Sequence, residues 1–386
     1  MKKSERQNID DEISPEVRLL RSIFGEGIKE VLCEYCAIGF DYYFGENGKE
    51  KSYEEAARWF RRAARKGYAR AQAQMGILYL RGEGVRRSAK IGAEWLQKAA
   101  EQGVVEAQYN LGLCYEHGDG VKRSMDRAIS WYRKAAEQGD LEAQKQLAYY
   151  YEIINRGKES DEEAFRWWKA AADQGDAQAM FRVGEAYSIR IGVERSYKDA
   201  VKWYRKSANK GYAFAQLKLG DCYRKGHGVK RDYKKAVEWY QKAADQGDSF
   251  AQMYLGDCYR EGHGVKLDYK KAVEWYQKSA DQGVSFAFFS LGECYEEGLG
   301  VKESIKEAIK WYRQAAEKRH PVARLKMGDF YRDGIGVKQS YVEAAKWYRG
   351  LAKLNLSDAI ERLAEVEKKI AAGKKAKVKG QKGKGK

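Results

Sequence analysis

Apolar residues recur along this chain in steps of three and four, the spacing of a helix with one face turned inward. Tyr233, Ala236, Trp239, Tyr240, Ala243 and Ala244 form one such face, and Ala251, Leu255, Cys258 and Tyr259 form a second. We name the first type helix B and the second helix A. Gly247 stands between them, where a left-handed residue ends a helix at least cost. Helix A then runs into Gly262-x-Gly264-Val265. The glycines there allow a sharp reversal, and the valine anchors the loop in apolar surroundings.

This hairpin pattern recurs down the chain. Trp59, Trp95, Trp131, Trp167, Trp203, Trp239, Trp275, Trp311 and Trp347 are each 36 residues apart, nine of the ten tryptophans. Five residues after each is alanine (Ala64 through Ala352), and twelve after is again alanine (Ala71 through Ala359). Eight after is glycine in seven units, with Arg319 and Asn355 in the last two. Asn355 suits a left-handed cap; Arg319 does not, and Pro321 is expected to reset that turn. Seventeen after is most often glycine, such as Gly76, Gly112, Gly220 and Gly256, small enough for a neighbouring helix to approach closely. One helix pair cannot bury its own apolar face, but stacked pairs can. Each Trp or Tyr then buries roughly 150–250 Å², about 4–6 kcal/mol gross before entropy is subtracted. Stability of this kind depends on nearest neighbours.

The expected fold is therefore all-α, a right-handed α-solenoid of about nine 36-residue helix-turn-helix units. Its divisions are residues 1–27 as a capping segment starting a helix at Ser14-Pro15-Glu16, 28–371 as the solenoid, and 372–386 as a Lys/Gly-rich tail. The last helix A is expected from Ser357 to about Ala371. The fourth unit is irregular: Ile153-Ile154-Asn155-Arg156-Gly157 lacks the glycine loop, and the fifth unit keeps only Gly192-Val193.

Composition agrees with helices: two prolines and 39 glycines in 386 residues, with 44% hydrophobic and 33% charged positions. The net charge of +17 is concentrated in part at the end, where Lys374 to Lys386 carries seven lysines and no acid. Such a run cannot bury apolar surface and reads as disordered. It could attach to nucleic acid, ribosomes or another acidic surface, though nothing aromatic is interleaved for base reading. No apolar run approaches membrane length, and the first residues lack a signal-peptide core. The expected place is the cytoplasm.

The unit A-x3-L-G-x2-Y-x2-G-x-G-V followed by A-x2-W-Y-x3-A-x2-G resembles the Sel-1-like repeat, a relative of the tetratricopeptide repeat. The resemblance covers roughly Cys33 to Glu367. It implies an adaptor or scaffold that binds a polypeptide on its concave surface, without catalysis or cofactor. One bacterial branch of the family is secreted, cysteine-rich and linked to penicillin binding or β-lactam hydrolysis. Its paired cysteines are not matched here: Cys114, Cys222, Cys258 and Cys294 fall one per repeat, as small buried hydrophobes do.

Candidate chemistry is sparse. Cys33-x2-Cys36 is half a zinc site at most. His227 and His263 share one loop slot in two near-identical repeats, and His117 and His320 complete no triad or metal motif. The Gly-x-Gly loops lack the strand and lysine of a phosphate cradle. Binding residues are easier to nominate. Eleven after Trp, most units are polar (Arg70, Glu106, Glu142, Gln178, Asp358), but three in succession carry Phe214, Phe250 and Phe286. Lys218, Tyr254 and Ser290 lie beside them, followed by Asp221, Asp257 and Glu293. An aromatic stripe flanked by charge suits an extended or helical peptide. The competing reading packs these phenylalanines on the preceding helix B and leaves Lys218–Asp221 a local pair.

Overall fold

The structure, a computed structural model, describes residues 28–153 and 157–382. The helix start at Ser14 and the missing loop at Ile154–Arg156 lie outside the described residues. Nineteen helices and no strand are found among those described. They fall into two compact units, residues 1–174 and 175–386.

The first unit holds α1 (Ile28–Phe44), α2 (Tyr53–Arg65), α3 (Ala69–Arg81), α4 (Ala89–Glu101), α5 (Val105–His117), α6 (Met125–Glu137), α7 (Leu141–Ile153) and α8 (Lys158–Asp173). The second holds α9 (Ala177–Ile189), α10 (Tyr197–Asn209), α11 (Ala213–Lys225), α12 (Tyr233–Asp245), α13 (Ser249–Glu261), α14 (Tyr269–Asp281), α15 (Ser285–Glu297), α16 (Ile305–Glu317), α17 (Pro321–Asp333), α18 (Tyr341–Ala352) and α19 (Ser357–Lys382). Odd numbers are A helices and even numbers are B helices. Within each unit a helix packs chiefly on its neighbours in sequence, as a solenoid requires.

The local chemistry explains each boundary. All B helices but α8, which starts after Gly157 without a side-chain cap, begin at a serine or aspartate seven residues before Trp, and the side-chain oxygen accepts from the N–H three residues on. Ser88, Ser124, Ser196, Asp232, Asp268, Ser304 and Ser340 all do this. B helices end at the left-handed glycine, with φ between 85° and 97° at Gly67, Gly103, Gly139, Gly175, Gly211, Gly247 and Gly283. Arg319 corrects one expectation: it is itself left-handed, at φ 66°, and the turn is not reset by Pro321. Pro321 instead opens α17, with His320 as its N-cap. Arg190 likewise takes φ 64° where the fifth unit has lost its first loop glycine. The final helix continues from Ser357 to Lys382, past the expected end near residue 371. Lysine and alanine are good helix formers, and that stretch has no proline to stop them.

The core is built on the residue after each tryptophan. Tyr240, Tyr276, Tyr312 and Tyr348 are fully buried, and each ring fills a notch made by the glycine twenty residues earlier. A Cβ at Gly220, Gly256, Gly292 or Gly328 would come within 2.6 Å of those rings. The alanines twelve after Trp are all fully buried. The indoles cover the outer side of this core and are half-buried or buried. Lys134, Lys206, Lys242 and Lys278 lie over four of them at 3.9, 4.1, 4.2 and 3.9 Å from the ring centre.

A column of buried glutamines ties repeat to repeat. Gln216 Nε2 donates to the Ala208 carbonyl at the end of α10 (3.2 Å), and its Oε1 accepts from Gln246 after α12 (2.8 Å). Gln252 and Gln282 repeat the arrangement one unit on, as do Gln72 with Gln102, and Gln108 with Gln138, in the first unit. Each pair adds a second donor to a helix-end carbonyl that already accepts from the glycine N–H of its own turn, and carries that bond on to the next repeat. Where the column lacks glutamine, Arg324 Nε donates to the Ala316 carbonyl at 3.0 Å.

Candidate partner-binding face

Helix α11 places Phe214 in its first turn, because Ala215 one position on must face the core and leaves its predecessor turned outward. The same geometry holds Phe250 in α13 and Phe286 in α15. The three rings are 55%, 47% and 53% exposed, and Val322 continues the register in α17 at 48%. Two of the rings are propped at their base. Phe214 lies against Tyr212 and Phe181, at 5.6 and 6.3 Å between centroids, and Phe286 meets His320 edge-on at 4.8 Å.

The remaining nominated residues are not brought together as a uniform stripe. Lys218 is exposed. Tyr254 is half-buried, packed on Tyr240 at 5.4 Å and lying under the Arg224 guanidinium at 5.1 Å. Ser290 is buried. The acids face one another's neighbours: Asp221 Oδ1 accepts from Tyr240 Oη and Arg224, both at 2.9 Å, and Asp257 Oδ1 accepts from Tyr276 Oη at 2.7 Å. Glu293 accepts from Arg260 of the preceding A helix at 2.8 Å. Burial raises the Asp257 carboxyl above its ordinary range, although the Tyr276 hydroxyl and Arg260 act the other way. These carboxylates hold the stack together, and the exposed elements of the nominated set are the three phenylalanines and Lys218.

Further cross-repeat pairs complete this face. Lys326 reaches Glu296 and Arg362 reaches Asp329. In sequence they were invisible, since the partners sit 30 and 33 residues apart.

The other nominated groups have structural surroundings. His227 stacks on Tyr197 at 4.8 Å and His263 on Tyr233 at 4.4 Å. Cys33 is exposed and Cys36 buried; burial pushes the Cys36 thiol up to about 12, that of Cys258 to about 12, and those of Cys114, Cys222 and Cys294 to about 11. Such thiols stay protonated and unreactive. Among the described residues no three His, Cys, Asp or Glu side chains converge to hold a metal ion. No described helix is long and apolar enough to cross a membrane.

His320 is both cap and prop. Its Nδ1 accepts from the Ala323 N–H at 3.2 Å, and its ring stacks on Phe289 at 4.6 Å. Burial lowers its pKa, so folding favours the neutral ring. Stability from this cap is complete above the ordinary histidine value near 6.5 and is lost as pH falls through the depressed folded value. We expect His320→Asn, which keeps a capping oxygen, to remove that acid-side slope when urea melts at neutral and acid pH are compared. An unchanged slope would place the proton elsewhere.

Repeated A/B hairpins stacked through small residues, with A helices presenting a shared exposed register, define an all-α repeat scaffold. The chain belongs to the Sel1 repeat family: the family pattern matches nine consecutive segments, 35–68, 69–104, 105–140, 141–176, 177–212, 213–248, 249–284, 287–320 and 321–356. Among solved structures it is similar to c5321, a protective antigen of uropathogenic Escherichia coli strains displaying an SLR fold. The two share 31% identity over 92% of this chain and 91% of that one, with a TM-score of 0.52. A Sel1 repeat protein from Oxalobacter formigenes also shares 31% identity, over 81% of this chain and 92% of its own, with a TM-score of 0.58. No curated protein matches the chain. Sel1 repeat proteins generally mediate protein–protein interaction, and their solenoid is typically a non-catalytic scaffold.

Proposed function

We propose that this chain is an adaptor that holds a polypeptide partner on the A-helix face of its second unit and carries out no chemistry of its own. The observation supporting this is the exposed register of Phe214, Phe250 and Phe286. Three large rings left half in water at one position of three successive repeats cost solvation that only a covering partner recovers. Lys218 supplies a charge at the margin, and the internally bonded Asp221 and Asp257 keep the helices beneath at fixed spacing. A reducing compartment, the cytoplasm, fits six free thiols of which five are buried.

The test is the triple substitution Phe214→Ala, Phe250→Ala and Phe286→Ala. Partners retained by the wild-type chain are identified, purified and titrated against both proteins. Helicity and melting should remain close to wild type, because half-exposed rings contribute little to the core. Affinity should fall at least about 100-fold, as expected for losing central aromatic anchors. Unfolding of the variant would assign the stripe to the core, and undiminished affinity would move the binding face elsewhere.

A further inference from the structure

The hairpins of the second unit carry unequal charge at their two ends. At the A-to-B loop and first B turn, residues 230–235 present Lys230, Arg231, Lys234 and Lys235, all exposed, against the single acid Asp232. Residues 266–271 present Lys266, Lys270 and Lys271 against Asp268. Both aspartates are occupied as N-caps, accepting from the Lys235 and Lys271 N–H groups at 3.1 and 3.0 Å.

These clusters are contiguous. The loop carrying His263, Gly264 and Lys266 lies on the first residue of α12, since a Cβ at Gly264 would stand 2.3 Å from the Tyr233 carbonyl oxygen. The loop with Lys230 lies likewise on Tyr197, beside Lys198, and the loop with Lys302 lies on Tyr269, beside Lys270. One edge of successive repeats is thus a row of cations. Lys230, Lys234, Lys266 and Lys270 make no ion pair with any described residue.

Helix stability does not call for this arrangement. A cation in the first turn opposes the positive end of the helix dipole, and α12 and α14 have no acid in that turn. The last turns are mixed, with Lys242 and Lys278 beside Asp245 and Asp281, so the imbalance lies at the first turn. Beyond the capping aspartates, first-turn lysines that the dipole does not favour, held on a contiguous edge, point to a partner of opposite charge.

We propose that this edge docks an acidic polypeptide segment running along the repeats. Carboxylates suit it better than a nucleic acid strand. Two of the three rings among the cations are already stacked: Tyr233 by His263 (4.4 Å, 11° between planes) with Arg231 at 5.6 Å, and Tyr197 by His227 with Arg195 at 5.7 Å. A strand would find no run of free rings along this edge to stack successive bases on. The unpaired cations are lysines, flexible point charges without the fork that reads phosphate bidentately.

The probe is a fluorescent poly-glutamate peptide titrated against the full chain. Lys230→Glu, Lys234→Glu, Lys266→Glu and Lys270→Glu together should weaken binding about tenfold or more, with a shallower salt dependence. The melting temperature should hold or rise, because the new acids agree with the dipole. The same four-charge reversal at Lys374, Lys375, Lys377 and Lys379 should change affinity by no more than about twofold. The idea is overturned if only the tail reversal matters. It is also overturned if a single-stranded RNA oligonucleotide of equal charge outcompetes the peptide for the four lysines, or if the reversal abolishes self-association and nothing else. The phenylalanine triple variant should bind the peptide normally, so this proposal and the adaptor reading fail separately.

Discussion

Tyr276→Ala is expected to destabilise the chain by about 3–5 kcal/mol, the cost of emptying a large aromatic site in a packed core. The ring is fully buried and stands in the notch of Gly256, where an added Cβ would be 2.4 Å from it, so the backbones on either side cannot close over the gap. The hydroxyl adds a second loss. It donates to Asp257 Oδ1 at 2.7 Å, and burial with the Asp257 charge pushes the phenol pKa up, so the group remains a donor at any ordinary pH. Tyr276→Phe keeps the ring and removes only the donor, for which about 1–2 kcal/mol is expected. Urea melts of the two variants separate packing from hydrogen bonding. Because each repeat leans on its neighbours, hydrogen exchange in Tyr276→Ala should rise first in α13, α14 and α15 and leave the first unit protected. A loss below about 1.5 kcal/mol for Tyr276→Ala, or exchange rising evenly through both units, would contradict the stacked core.

Much of this fold was legible because its signals are local or strictly periodic. The 36-residue spacing of tryptophan marks the units, and the alanines at fixed offsets and the glycine caps mark the helix contacts and ends. The same spacing drew attention to the wrong ring. Tyr240 and Tyr276 looked like one more apolar position beside Trp239 and Trp275, yet they fill the centre while the indoles cover its flank. What decides this is the pairing of Tyr276 with Gly256 on another helix, a fact of stacking and not of either helix alone. The Gln216–Gln246 bridge was missed for a related reason: glutamine on a helix reads as surface, and its buried role depends on the Ala208 carbonyl and on the next repeat. The candidate site divides likewise. The wheel places Phe214, Phe250 and Phe286 on the side of helix A away from its core, and only the position of the preceding B helix decides between a covered and an exposed ring. Asp221 and Asp257 read as charges flanking the stripe, or Asp221 as a local partner of Lys218, because the tyrosines that claim them lie in the following B helix. The lysine edge was present in the sequence, folded into a net charge that credited the tail.

Gly264→Ala is expected to cost more than about 3 kcal/mol, although it adds one methyl group to a surface loop. Two penalties coincide there. At φ +75° an alanine is strained by roughly 1–2 kcal/mol wherever it points. Its Cβ would also meet the Tyr233 carbonyl oxygen at 2.3 Å and its carbon at 2.5 Å, backbone atoms held in the first turn of α12 that cannot swing aside as a side chain would. The loop must lift, and with it goes the contact by which one hairpin rests on the previous one. Gly247→Ala is the matched control: φ is +90° and nothing lies within 4 Å, so strain alone acts. The difference between the two variants in urea melts measures the loop seat itself, roughly 1–3 kcal/mol. Equal losses would reduce the second loop glycine to a turn former. The expected inequality makes it a joint between repeats, which explains why Gly84, Gly120, Gly228 and Gly300 occupy the same seat against Tyr53, Ala89, Tyr197 and Tyr269.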